Sequence, residues 1–120
     1  MKVRGRDVNF LRTVKTTVDL ADLCPNRDLS KIDVIFQENV ADAQLNAAKL
    51  IHNMAEGYEM NKHFDDPTYK PNPISVEEIL YLDNDTFSKL LEKAMHAFEK
   101  GAERMVETEE QKGAKKKDKV

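Results

Sequence analysis

The chain has no tryptophan, one cysteine, four glycines and four prolines, and each scarcity closes off a class of protein. A single thiol, Cys24, forms neither an internal disulfide nor a cysteine-based metal cluster. Set in the apolar run LADLCP, it reads as a buried thiol. The glycines Gly5, Gly57, Gly101 and Gly113 are scattered, so no Gly-rich loop stands ahead of a helix to cradle phosphate. No apolar stretch nears the roughly 20 residues that span a bilayer. The start, MKVRGRDVNF, lacks the apolar segment of a secretory signal. The expectation is a soluble protein made in the cytosol.

Familiar chemical signatures are missing as well. His52, His63 and His96 lie far apart, and the nearest approach to a metal pair is His52 with Glu56, one helical turn away, which is two ligands where a site needs three or four. DNDTFSKLLEKA places Asp83 and Asp85 like the start of a calcium loop. It has no central glycine, however, and puts Ala94 where the last carboxylate belongs. There is no serine elbow, and Cys24 has no histidine near it in sequence. No catalytic, cofactor-binding or metal-ligating residue is assigned, and the chain is not expected to be an enzyme.

What is present is charge and helical periodicity. Of 120 residues, 34% are charged and 40% hydrophobic, with a net charge of −3, a balance that still supports a folded core. The front is basic: Lys2, Arg4, Arg6, Arg12 and Lys15 stand against Asp7. Residues 75–110 reverse the sign, with ten carboxylates against Lys89, Lys93, Lys100 and Arg104. Alternation of Lys2, Arg4 and Arg6 on one strand face would suit phosphate contacts. Edge-strand protection places the same residues there, and no aromatics interleave with them, so nucleic acid ranks below a protein partner.

The pattern predicts an α+β domain, mainly helical, over residues 1–106. KVRGRDVNFL reads as a β-hairpin turning over Arg4–Asp7, with Val8 and Phe10 on one face of the second strand. Five helices follow. The first, 14–24, has Val14, Val18 and Leu20 to Leu23 at helical spacing and is closed by Pro25. The second, 28–37, is capped by Asp28. A central helix over 39–57 carries the stripe Val40, Ala43, Ala47, Leu50, Ile51 and Met54 and stops at Gly57. Three prolines in 67–73 impose an extended crossing. Ser75 and Glu78 then form a capping box for 75–82. The last helix, 85–104, lines up Phe87, Leu90, Leu91, Ala94, Met95, Phe98 and Ala102. Residues 107–120, ETEEQKGAKKKDKV, hold too little apolar surface to offset the entropy of ordering and are expected to be a disordered charged tail.

Two passages, VNFLRTVKTTVDLADLCPNRDLSKI and YKPNPISVEEILYLDNDTFSKLLEKAMHAFEKGAERMVETEE followed by KGAKKK, resemble tail assembly chaperones of long-tailed phages and prophages of Gram-positive bacteria, counterparts of the lambda-type G protein. The likeness covers most of the chain except the central helix. It implies a non-enzymatic partner of the tape measure protein, keeping that long helical chain soluble until tube protein polymerises around it. It also implies a host-cytoplasmic protein not carried into the mature virion; self-association through the client surface in the absence of client is a corollary. A rival reading is a small helical regulator or adaptor that binds another protein or DNA.

In the family resembled, a −1 slip near the end of the frame yields a minor longer product whose extra domain engages the tail tube protein. The residues here permit the required heptamer in several places. Ala114 to Lys116 and Lys115 to Lys117 can each be written A AAA AAR, and Gln111 to Gly113 can be written A AAG GGN. A solvated tail that aids solubility accounts for the same lysines. The client-binding residues are unknown from sequence; the surface is expected along the 40–58 stripe or on the last helix.

Overall fold

Arg4 and Gly5, with φ of 50° and 84°, turn the chain sharply back on itself at its start. The computed structural model describes residues 1–37 and 39–118, with side chains through residue 101. Strands β1 (Lys2–Val3) and β2 (Arg6–Asp7) pair antiparallel, Lys2 opposite Asp7 and Val3 opposite Arg6. Two successive positive φ values are what a two-residue hairpin loop demands, and Gly5 meets that demand without strain. The turn is therefore tighter than the Arg4–Asp7 span expected. Val8 still exchanges backbone bonds with Met1, at 2.8 and 3.2 Å. Phe10 lies past the strand, because the Leu11 N–H leaves the sheet direction and donates to the Met54 carbonyl at 3.0 Å.

Helix α1 (Val14–Ala21) starts at a reciprocal cap, Thr13 with Thr16, which satisfies two amides the first turn leaves open. It buries Thr16, Leu20 and Ala21. Val14 and Val18, expected on its core face, are exposed; the buried face is one rotated toward Thr16 and Leu20. The chain leaves α1 at Ala21, short of the expected 24, and turns tightly at Pro25–Arg27; the expected second helix over 28–37 is shortened to a tight turn at Leu29–Lys31 followed by the single turn α2 (Ile32–Ile35). Asp28 caps as expected, accepting from the Ser30 amide at 3.0 Å.

Helix α3 (Val40–Asp65) is the centre of the domain and runs eight residues beyond the expected stop at Gly57. Gly57 sits in the helix interior because the chain at Leu11 crosses directly over it. The true stop is at Asp66, extended at φ −140° and followed by Pro67, whose ring disfavours helix in the residue before it. The proline-rich crossing is pinned down by α3. Glu59 accepts from the Tyr69 hydroxyl at 2.6 Å and the Asn72 amide at 2.9 Å, His63 Nδ1 lies 2.8 Å from the Tyr69 carbonyl, and His52 Nδ1 lies 2.8 Å from that of Ile74.

Ser75 caps α4 (Val76–Leu80) by accepting from the Glu78 amide at 3.0 Å. The reciprocal half of the expected box is diverted: the Glu78 carboxylate takes Arg6 at 3.2 Å and Arg4 at 3.3 Å, tying the hairpin to α4. Asp83 caps α5 (Asn84–Asp118) through the Thr86 amide at 2.7 Å. The expected tail over 107–120 and the face position Ala102 fall outside the residues whose side chains are described. The core joins Val3 and Val8 of the hairpin to Leu20, to Leu50, Ile51 and Met54 of α3, to Ile74 and Ile79, and to Leu90, Ala94 and Phe98 of α5. The architecture is mainly helical with one small hairpin, as the periodicity predicts.

Candidate protein-binding grooves

The face of α3 that meets α5 begins with small residues. Val40, Ala43, Gln44 and Ala47 fall at i, i+3, i+4 and i+7, on one side of the helix. Opposite them α5 presents Phe87, Leu91 and Met95 at i, i+4 and i+8. Phe36, ending α2, closes the space at one side. Alanine side chains are too short to cover the large residues facing them, so a trough of about 430 Å³ stays open between the helices. Gln44 is the one residue of the lining with a polar side chain. At the trough's edge Val40 is 74% exposed.

This trough decides how the last helix's apolar face divides. Leu90, Ala94 and Phe98 are buried in the core, whereas Phe87, Leu91 and Met95 are half-buried along the trough. Periodicity groups all six together; only the packing against α3 separates them. An apolar channel bounded by two helices suits an amphipathic helix laid into it by its own apolar stripe. A methionine in the wall adapts to different occupants. The 40–58 stripe and the last helix are alternative expectations for a client surface; each contributes one wall of this trough.

A second cleft, of about 570 Å³, lies where α1 approaches the extended end of α3, over Gly57. Val14 stands on one wall, with Met60 and Phe64 on the other. Val14 is 83% exposed and Phe64 74%. Lys15, Asn53, Glu56 and Asn61 also line it, yet the surface it exposes, like the trough's, is mainly apolar. Sequence reasoning missed it for two local reasons: Gly57 reads as a helix stop, which removes Met60 and Phe64 from α3, and Val14 reads as core.

The residues weighed for other chemistry are occupied elsewhere. Cys24 is buried, its Sγ directed at the Leu20 carbonyl 3.3 Å away, and burial, with Asp28 nearby, pushes its thiol above the usual range. His52 faces the Ile74 carbonyl, and Glu56 faces Lys15 at 3.5 Å, so these two do not converge on a common ligand position. Asp83 serves as a helix cap. The basic front is largely neutralised in place: Lys2 meets Asp7, Arg4 and Arg6 meet Glu78, and Lys15 meets Asp19 and Glu56. Cations committed to neighbouring carboxylates have less to offer a phosphate backbone.

Among the described residues, no helix is long and apolar enough to cross a membrane, and no group of three His, Cys, Asp or Glu is placed to hold a metal ion. No family model, curated protein or solved structure matches the chain.

Proposed function

We propose that this protein is a phage tail assembly chaperone that binds amphipathic helical segments of the tape measure protein and keeps them soluble until the tail tube forms. The observation that carries the reading is the apolar trough between α3 and α5, with Val40, Ala43 and Ala47 on one side and Phe87, Leu91 and Met95 on the other. It is of a kind that receives a helix, and the resemblance of the flanking passages supplies the class of client. The exposed charged residues of α5, among them Asp85, Lys89, Glu92 and Lys93, would keep a loaded complex in solution. On this reading the protein acts in the host cytoplasm and does not enter the mature virion. A minor −1 product would couple the loaded chaperone to the tail tube protein.

Co-expression with a tape measure fragment tests the reading. The fragment should be insoluble alone and recovered in a soluble complex with this protein. A fragment that stays insoluble in both cases, or is equally soluble without it, removes the chaperone assignment and leaves the adaptor alternative.

A further inference from the structure

Of the five cations near the N-terminus, four face carboxylates; Arg12 has none among the described residues. Its guanidinium carbon lies 4.0 Å from the centre of the Phe98 ring, and Nη1 donates to the Phe98 carbonyl at 3.1 Å. Its Nε is buried without an acceptor. The side-chain stem is seated against α5 at Gly101, where a Cβ would come within 2.7 Å of the Arg12 Cβ. A guanidinium stacked on a ring and hydrogen-bonded to a backbone carbonyl is held in one orientation. Burial lowers its pKa without approaching neutrality in any ordinary pH range.

This fixed arginine forms one wall of a cleft of about 360 Å³ between residues 10–12 and α5. Facing it are His96 and Lys100, one helical turn apart on α5, and among the described residues no carboxylate lines the space. Phe10, Leu11 and Ala97 supply apolar surface beside the charged groups. A cation partly withdrawn from water is stabilised by an opposite charge, and the described residues provide none.

We infer that this cleft binds a carboxylate presented by a partner polypeptide, with Arg12 as the fixed donor and His96 and Lys100 closing on it from α5. The apolar walls fit the carbon skeleton of an acidic side chain and its neighbours, which a bare inorganic anion lacks. The site is separate from the trough, and it stands whether or not the trough takes a tape measure segment.

The test is an NMR titration of the full ¹⁵N-labelled chain at constant ionic strength with three probes: N-acetyl-Leu-Glu-Leu-amide, the same peptide with Gln for Glu, and inorganic phosphate. The glutamate peptide should shift the Arg12 Nε–H signal and the amides of residues 96–101 saturably, and the glutamine peptide should not. The double variant His96→Gln/Lys100→Gln alters only exposed side chains and should weaken that binding about tenfold. Equal response to both peptides, non-saturating shifts, or a double variant that binds like the parent would each overturn the proposal. Phosphate binding as tightly as the glutamate peptide would overturn the assignment to a polypeptide in favour of a free oxyanion.

Discussion

A Cβ on Gly57 would lie 2.4 Å from the Leu11 carbonyl oxygen and 3.1 Å from the Thr13 methyl. The obstacle is backbone, and Leu11 is itself tethered one turn earlier on α3 by its bond to Met54. Alanine in a helix interior normally gains about 1 kcal/mol over glycine. Here Gly57→Ala should lose about 1–3 kcal/mol net, because the 8–13 segment must move off the helix. Urea unfolding measures it; a stabilised variant would mean that the segment yields freely.

Groove and core substitutions should separate cleanly. Val40→Asp places an acid in the first turn of α3, where the helix dipole favours it, so stability should change by no more than about 0.5 kcal/mol. The variant should nonetheless lose the ability to hold a tape measure fragment in solution. Leu90→Ala, at a fully buried position, should cost about 2–5 kcal/mol. If Val40→Asp keeps full solubilising activity, the client lies on another surface.

Glu59 supports the proline-rich crossing through one oxygen that accepts from both the Tyr69 hydroxyl and the Asn72 amide. Glu59→Ala leaves both donors without that acceptor and should cost about 1–3 kcal/mol. Glu59→Gln keeps an oxygen in place and should cost less. Equal losses in the two variants, by thermal or urea unfolding, would show that the hydrogen bonds are not what Glu59 contributes.

Acid sensitivity has a traceable source at Asp83. Hydrogen bonds from the Thr86 backbone amide and hydroxyl hold its carboxyl below the ordinary aspartate range in the folded state. A depressed folded pKa means stability that is fully present above the unfolded value, about 3.9, and lost as pH falls through the lower folded value. Asp83→Asn retains a capping oxygen without titrating. The parent should therefore lose stability relative to Asp83→Asn as pH drops below about 4; parallel stability curves would remove this cap from the acid response.

Much of the fold is legible locally. The caps at Asp28 and Ser75 are visible in sequence because each depends on residues two or three positions away. The crossing over 67–73 is visible because proline restricts its own neighbourhood. What escapes local reading involves distant chain. Gly57 continues a helix because Leu11 needs the space, and the Glu78 carboxylate leaves its capping box for two arginines of the hairpin. Half of the candidate site is legible in the same sense. The stripe from Val40 to Ala47 and the face from Phe87 to Met95 are periodic, yet nothing in the period tells that alanines opposite Leu91 leave it partly uncovered.

The hairpin's attachment to α4 also sets an order of events during synthesis. Arg4 and Arg6 reach their carboxylate across 74 and 72 residues. At ribosomal rates of about 5–20 residues per second, the two arginines wait roughly 4–15 s before Glu78 is polymerised. Through that interval the basic hairpin has none of its α4 anchorage, and Val3 and Val8 lack the Ile79 and α5 parts of the core they will join. The hairpin, made before the helices, is thus among the last elements to be secured, and this core closes only once α5 is being made.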